Sequence, residues 1–448
     1  MRTKQPLAVA GLAIAALAAE PRLVGAQNLV VTNARILDGA GGVIERGSIV
    51  VRDGKILSVG PGTAVGGAGR VIDARGKTVM PGYIDAHRHL IQGNGDQWLK
   101  EQSAVRMQEF LDAGFTTVLS AIDDRPAILE LRRRLQKGET KGPRLFSAAL
   151  IPLAQGGGGR GGRGDGRGAD AGRGRGRAEG NFPGGDPARF DTSRPPLRPT
   201  QPARAIPRDD TVSEVEAVAK AGFDYIKTVI TVTPGGPEKD TLKLIVDEGR
   251  KRNLPTITHA VSVEDTLAAV DAGPAVLVHT PHIGRLEEDA ASVQKIVRAG
   301  IPMTSTLAIF IPHFGRDNTP LFRDELPFPW DTISSGGQGP VNARLLWDAG
   351  ISYGYGTDSR WHPRESLADE LRALQLMFSA KDIITILTRN AARSVLKADQ
   401  LGTLEKGKAA DLVMLNGDPL ANITSLLDVA LVVRDGQVLV DKRVGSSR

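Results

Sequence analysis

Four of the seven histidines of this 448-residue chain lie at the ends of short apolar segments. His87 and His89 follow the segment VMPGYIDA, His259 closes PTITH and His279 closes AVLVH. Imidazole nitrogens are common ligands of zinc and other divalent metals. A single histidine in such a segment is equally well explained as a hydrogen-bonded core residue, but four in one pattern indicate a metal site.

Two further residues have side chains suited to the same chemistry. Asp358 closes the segment ISYGYGTD and would add a carboxylate ligand. Lys227 lies within the apolar segment FDYIKTVI, where a buried ammonium group is strongly disfavoured without a partner. Carboxylation of its amine by carbon dioxide would give a carbamate able to bridge two metal ions. The alternatives are an ordinary lysine paired with a carboxylate, or one directed toward the helix layer.

The segments that carry these residues alternate with helix-like stretches, which is typical of a (β/α)8 TIM barrel within the α/β class. The eight candidate strands are VMPGYIDAH, TTVLS, RLFSAAL, YIKTVI, PTITH, AVLVH, IPMTST and ISYGYGT. The histidines and Asp358 then fall at the C-terminal face, where barrel active sites lie. Strand alternation directs His87 and His89 into the barrel and Arg88 away from it.

The two ends of the chain share a different pattern, with alternating β-branched residues and Asp-Gly breaks that indicate hairpins. The motif VVRDGKI near the start is echoed by VVRDGQV near the end. We therefore expect residues 27–77 and 401–448 to build one small β-sandwich module, and residues 78–400 to form the barrel.

The N-terminal residues 1–26 have the features of a secretory signal: Arg2 and Lys4, an apolar run, and small residues before a cleavage point at Ala26. We predict a periplasmic or secreted bacterial protein. The apolar run, PLAVAGLAIAALA, is shorter than the roughly 20 residues that span a bilayer, and no later segment reaches that length. The chain has no cysteine, which excludes disulfides, thiolate metal sites and cysteine nucleophiles.

The net charge of +6 is located in one segment, because residues 155–208 contain eleven arginines and no lysine against four aspartates and one glutamate. This Gly-, Arg- and Pro-rich insert follows the third strand, and its composition predicts disorder. As a nucleic-acid-binding arm it would lack interleaved aromatic residues, and an exported protein meets little RNA, so we favour a solvated insertion. A second long connection, residues 308–339, is a candidate lid over the C-terminal face.

These motifs together resemble the amidohydrolase superfamily. The resemblance covers PGYIDAHRHL at strand one, the lysine of strand four, the histidines of strands five and six, the GTDS segment at strand eight, and the tail LTRNAARSVLKADQLGTLEKGKAADLVML. Within the superfamily the chain looks most like the imidazolonepropionase-related group, which includes enzymes acting on Xaa-Pro and other acyl amino acid substrates. The third strand departs from this group because no histidine follows its glycines.

The resemblance implies a binuclear centre whose ligands are His87, His89, Lys227, His259, His279 and Asp358. The strand-one histidines and Asp358 would bind one divalent ion, the histidines of strands five and six the other, and carboxylated Lys227 would bridge them together with a hydroxide. Zinc suits these ligands best, with manganese or cobalt as alternatives. Asp358 would transfer the proton to the leaving nitrogen. The expected reaction is hydrolysis of an amide or peptide-type C–N bond in a small-molecule substrate.

Substrate contacts are less well specified by the sequence. Arg360 could clamp a substrate carboxylate or pair with a nearby acid, and His362 and His282 are further candidates. A mononuclear deaminase of the same fold would require a glutamate soon after the strand-five histidine, and Glu264 is five residues away. A lactonase or phosphotriesterase, and the formation of a homo-oligomer, stay open.

Overall fold

The computed structural model describes residues 28–62, 69–155, 201–310 and 330–443. The predicted signal segment lies outside the described residues, as do residues 156–200 of the predicted insert and residues 311–329 of the predicted lid. The two ends of the insert are among the described residues, and the Gln155 amide donates to the Arg204 carbonyl at 2.7 Å.

Strands and helices are numbered in chain order. The first five strands are β1 (Leu29–Leu37), β2 (Val43–Arg52), β3 (Lys55–Pro61), β4 (Arg70–Asp73) and β5 (Thr78–Pro81). The next eight are β6 (Tyr83–Arg88), β7 (Phe115–Ala121), β8 (Arg144–Leu150), β9 (Tyr225–Val229), β10 (Thr256–His259), β11 (Val276–Val278), β12 (Met303–Thr304) and β13 (Tyr353–Gly354). The last three are β14 (Leu412–Leu415), β15 (Val429–Arg434) and β16 (Gln437–Asp441).

The described helices surround and follow the middle strands. They are α1 (Gly95–Glu101), α2 (Ser103–Asp112), α3 (Arg125–Gln136), α4 (Arg208–Lys220), α5 (Glu238–Lys251), α6 (Val263–Ala272), α7 (Ala290–Arg298), α8 (Trp330–Asp348), α9 (Pro363–Leu374), α10 (Ala380–Thr385) and α11 (Ala391–Ser394). Short 3-10 turns lie at Ala308–Phe310 and Ile423–Leu427, and a π-helical turn at Ile386–Asn390. None of the helices in the described ranges has the length and apolar character needed to cross a membrane.

The strands β6 to β13 form one parallel sheet in sequential order, which confirms the predicted TIM barrel. The barrel closes between its first and last strands, where the Ala86 amide donates to the Tyr355 carbonyl at 3.0 Å and the Thr357 amide to the His87 carbonyl at 3.1 Å. The interior and the helix layer share one large apolar core. All eight strands therefore bring their C-terminal ends to one face.

The chain ends build the second sheet, in the order β16-β15-β14-β5-β1-β2-β3 with β4 beside β1, as predicted for a composite module. The repeated Asp-Gly motifs form its hairpin turns: Asp53 and Gly54 have φ of 51° and 76°, and Asp435 and Gly436 have 49° and 75°. Both central residues of a type I′ turn need such positive φ values. A separate apolar cluster fills this sheet's inner face.

One strand lies in a different sheet from the one predicted. The sequence pattern places VMP in the first barrel strand, but Thr78–Pro81 pairs with β1 and β14 in the composite module. The chain passes to the barrel at Gly82, where a Cβ atom would lie 2.3 Å from the Thr116 hydroxyl. Glycine permits this close approach, and the first barrel strand begins at Tyr83.

Candidate metal centre

Four of the predicted ligands meet at the C-terminal face of the barrel. Ligand atoms of His87, His279 and Asp358 all lie within 4.8 Å of one another. Asp358 is at the centre: one carboxylate oxygen lies 3.1 Å from Nε2 of His87 and 2.8 Å from Nε2 of His89, and the other lies 3.8 Å from Nε2 of His279. The structure therefore brings the strand-one, strand-six and strand-eight residues together.

The two remaining predicted ligands lie beside this group. The His259 ring meets the His279 ring edge to face at 4.2 Å between centroids. Lys227 lies on β9 next to β10, where it is in register with Ile257, and its side chain is almost completely buried. All six predicted ligands thus occupy one region of the barrel mouth.

The backbone that holds these residues adopts unusual conformations. His279 and Asp358 follow their strands with φ of 78° and 53°, in the left-handed region that side chains other than glycine rarely adopt. The Asp358 amide donates to the His87 carbonyl at 2.8 Å, which joins the ends of the first and last barrel strands. Such local strain is concentrated at functional sites and persists only where the surroundings enforce it.

Four buried polar atoms in this region have no hydrogen-bond partner among the described residues: Nδ1 of His87, Nδ1 of His89, Nε2 of His279 and Nζ of Lys227. Buried polar side-chain atoms in folded proteins are usually hydrogen-bonded, so several at one point call for a ligand. Imidazole nitrogens and carboxylate oxygens are the donors that zinc accepts. The residues present therefore fit a divalent cation.

The protonation states in this region also suit a cation. Burial and the charge of Lys227 lower the pKa of His87 to about 4 and that of His259 to about 3. Burial acts to raise the pKa of Asp358, but the neighbouring histidines, led by His87, hold it well below its usual value. Burial lowers the pKa of Lys227 to about 7. Neutral imidazoles and an ionised carboxylate are the forms that bind metals.

Comparison with known proteins identifies the family of this chain. The sequence pattern of the amidohydrolase family matches residues 78–439. The chain belongs to the amidohydrolase family. It is a hydrolase acting on C–N bonds, and the resemblance inferred from the strand-end motifs is confirmed.

Individual relatives of this amidohydrolase are distant. The imidazolonepropionase of Thermoanaerobacter pseudethanolicus is 22% identical over 431 residues, covering 83% of this chain and 84% of its own. The crystal structure of a Xaa-Pro dipeptidase with bound methionine in its active site has a TM-score of 0.69 at 20% identity, covering 92% of this chain and 99% of its own. The structure of molinate hydrolase has a TM-score of 0.69 at 20% identity, covering 92% of this chain and 95% of its own.

Around the predicted ligands, this amidohydrolase has a supporting layer that the sequence did not reveal. Asp123 accepts hydrogen bonds from the amides of Leu90 and Ile91 at 2.8 and 3.1 Å, and so holds the chain directly after His89. Thr306 Oγ1 lies 2.7 Å from Nδ1 of His279. Asp123 could have been found as an acid just beyond the second strand, whereas no local signal marks Thr306.

Arg88 points out of the barrel as expected, but it is not solvated. Its guanidinium is buried against the Phe110 ring, 5.0 Å from the centroid, and Nη1 lies 3.0 Å from the Thr357 hydroxyl and 3.5 Å from Asp85. A third contact joins it to the carbonyl of Trp361. Arg88 therefore ties the first barrel strand to the loop after the last. Asp85 is a structural partner in this network, because its carboxylate also accepts a hydrogen bond from the Thr357 hydroxyl at 2.7 Å.

The predicted substrate contacts have three different environments. Arg360 is exposed beside Asp358, and its carbonyl accepts a hydrogen bond from Gln92 at 2.8 Å. The structure does not bring His362 to the ligand cluster; its ring contacts α2, with Nδ1 3.2 Å from Glu109. His282 is buried, and its ring packs against that of Phe310 at 3.8 Å between centroids, tilted by 36°.

Proposed function

We propose that this amidohydrolase is an exported binuclear metal enzyme that hydrolyses an amide or peptide-type C–N bond. The observation that carries the proposal is the convergence of His87, His89 and His279 on Asp358. The His259 ring lies against that of His279, and the buried amine of Lys227 is in the same region. Two divalent cations, zinc first and manganese or cobalt as alternatives, suit this set of nitrogen and oxygen donors.

In this proposal His87, His89 and Asp358 hold one cation, and His259 and His279 hold the other. Lys227, as a carbamate, would be a ligand that both cations share. A pKa near 7 leaves much of its amine uncharged at neutral pH, and the uncharged amine is the form that reacts with carbon dioxide. Carboxylation also replaces a disfavoured buried cation with an anion suited to a pair of dications.

Bound cations would supply the charge that polarises the scissile carbonyl group and lowers the pKa of a water molecule. Asp358 is the acid–base group: its carboxylate accepts the proton released by the attacking water and delivers it to the leaving nitrogen. An amine leaves far more readily than an amide anion, so this transfer is needed for C–N cleavage. The low pKa of Asp358 keeps it in the accepting form over the neutral pH range.

For the substrate we propose an N-acyl amino acid, an Xaa-Pro dipeptide or a cyclic amide. The similarity to proteins named as imidazolonepropionase and Xaa-Pro dipeptidase supports this class. The position of Arg360 favours a substrate with a free carboxylate. This residue is exposed two positions beyond Asp358, and a guanidinium can clamp a carboxylate through two hydrogen bonds. His282 is the further candidate for substrate contact.

A mononuclear deaminase is less well supported by the geometry. Glu264, the glutamate nearest to His259 in sequence, is exposed in the first turn of α6 rather than inside the barrel. A lactonase or phosphotriesterase would use the same cluster and is distinguished only by its substrates. The nucleic-acid arm falls on residues outside the described ranges and stays a prediction.

Metal analysis and a substrate panel test the proposal together. The mature protein is assayed for bound metal by elemental analysis, for a carboxylated Lys227 by crystallography, and for hydrolysis of N-acyl amino acids, Xaa-Pro dipeptides, lactones and phosphotriesters. About two divalent ions per chain and preferential amide cleavage support it. One ion with an unmodified Lys227 favours the mononuclear class, and preferential lactone or phosphotriester cleavage overturns the proposed amide substrate. Cell fractionation and N-terminal sequencing, with Gln27 expected first, test export.

A further inference from the structure

An acid occupies an apolar position of α9. This helix buries Leu367, Leu371 and Leu374 on its inner face, and Glu370 lies on the same face with no solvent exposure. A buried carboxylate is costly unless its oxygens are hydrogen-bonded. The Glu370 carboxylate accepts hydrogen bonds from the amides of Leu307 at 2.9 Å and Ala308 at 2.8 Å. Its contacts are thus directed at one turn of the chain after β12.

That turn has a strained backbone at the preceding residue. Thr306 has φ of 48°, which is uncommon for any side chain other than glycine and a clear outlier for a β-branched one. Its amide donates to the Gly356 carbonyl at 3.0 Å, while the two amides that follow it are held by Glu370. Both sides of Thr306 are therefore restrained, and the surroundings impose the left-handed conformation.

The side chain held in this way contacts a predicted metal ligand. Thr306 Oγ1 lies 2.7 Å from Nδ1 of His279, and Nε2 of the same ring faces the Asp358 carboxylate at 3.8 Å. The bond at Nδ1 therefore determines the direction in which Nε2 points. A ring that binds a cation through Nε2 carries its proton on Nδ1 and donates it to the threonine oxygen.

We propose that Glu370 is a positioning residue that orients the His279 imidazole for cation binding by holding Thr306 in its left-handed turn. Neither Glu370 nor Thr306 contacts the reacting atoms. The inference rests on the proposed metal-dependent function and extends it to a carboxylate on the helix layer. Loss of the Glu370 carboxylate releases the two amides, allows Thr306 to relax toward an ordinary conformation, and withdraws its oxygen from the His279 ring.

The test measures cation binding by the metal-free protein rather than turnover alone. Wild type, Thr306→Val, Thr306→Ser and Glu370→Gln are titrated with Zn²⁺ and Co²⁺ against a competing chelator, and the visible spectrum of the Co²⁺ form is recorded. Thr388→Val is the matched control, because it also removes a buried threonine hydroxyl, here bonded to the Ile384 carbonyl at 2.7 Å. Circular dichroism and thermal unfolding establish that each variant folds.

Thr306→Val and Glu370→Gln are expected to weaken binding of one of the two cations by about 10- to 100-fold, the usual effect of losing a hydrogen bond to a ligating histidine. They should also change the Co²⁺ spectrum, whereas Thr306→Ser retains the hydroxyl and should restore both properties. The control should match the wild type. If Glu370→Gln does not fold, Glu370→Asp, which keeps the charge but shortens the side chain, is tested in its place with the same expectation.

Three results would overturn the positioning role. The first is a folded Thr306→Val or Glu370 variant that binds cations with wild-type affinity and has an unchanged Co²⁺ spectrum. The proposed function would survive this result if the wild type bound two ions and hydrolysed amides. An equal loss in Thr388→Val would assign the effect to general packing. A wild-type protein that binds no divalent cation would overturn both the positioning role and the proposed function.

Discussion

The carboxylate of Asp358 lies 2.8 Å from Nε2 of His89, although 269 residues separate them in the sequence. The contact exists because the barrel closes between its first and last strands, so residues at opposite ends of the chain share one wall of the site. The contacts of Asp358 with the strand-one histidines therefore depend on closure of the barrel. Substitutions at the closing strands should change both stability and activity.

Replacement of Asp358 by Asn should separate proton transfer from metal binding. The amide keeps the size of the side chain and one oxygen donor but cannot accept the proton, so we expect kcat to fall by about 10²- to 10⁴-fold. Elemental analysis should find most of the metal retained. Wild-type turnover in a metal-loaded Asp358→Asn protein would exclude Asp358 as the acid–base group.

Replacement of Lys227 by Met should lower the metal content and raise the stability of the metal-free protein. Without the proposed carbamate, bound metal should fall below two ions per chain. The metal-free protein should become more resistant to urea, because a buried ammonium group is no longer desolvated. Lys220→Met, at an exposed position of α4, is the matched control and should change neither property. Full metal content in Lys227→Met would contradict the bridging role.

Replacement of Arg88 by Met should destabilise the closing strands. The change leaves the buried Asp85 carboxylate without its cation, and breaking a buried ion pair in this way costs about 3–5 kcal/mol. Urea unfolding measures the loss. Adding Asp85→Asn should recover part of it, because the uncompensated charge is then removed; no recovery in the double variant would show that the stability comes from the Arg88 contacts with Phe110 and Thr357 instead.

Arg360 and His362 should differ in their effect on catalysis. Arg360→Ala should raise KM for substrates with a free carboxylate and leave KM for the corresponding esters or amides unchanged, because only the carboxylate forms the two-pronged contact. His362→Ala should leave KM at the wild-type value for both kinds of substrate, since the His362 ring pairs with Glu109 on α2. A KM effect confined to His362→Ala would reverse these assignments.

Glu370 should impose a pH dependence on stability. Burial raises its folded pKa from 4.5 to about 7, so the folded state holds a proton that the unfolded state has already lost between these values. Its contribution to the free energy of unfolding therefore declines as the pH rises from about 4.5 to about 7 and is constant outside that window. Urea unfolding of metal-free wild type and Glu370→Gln over this range tests the effect. The free energy of unfolding of the wild type should fall relative to that of Glu370→Gln as the pH rises, and a constant difference would refute it.

The sequence by itself predicted the barrel, the composite module and the strand-end positions of His87, His89, His259 and His279. These follow from local properties, namely the alternation of strands with helices and the two-residue period that directs both strand-one histidines inward. The repeated Asp-Gly turns were likewise recognisable, because a type I′ turn restricts the residues at its centre.

Only the tertiary structure decided which distant residues meet. Periodicity cannot show that Thr78–Pro81 joins the module, because an apolar strand suits either sheet and pairing settles the choice. Nor can it show that His362 contacts α2, or that Glu370 reaches the turn beside Thr306, since an acid in an apolar stripe carries no information about its partner. Local patterns determine the elements and the direction of their side chains, whereas contacts across long stretches of chain depend on how those elements pack.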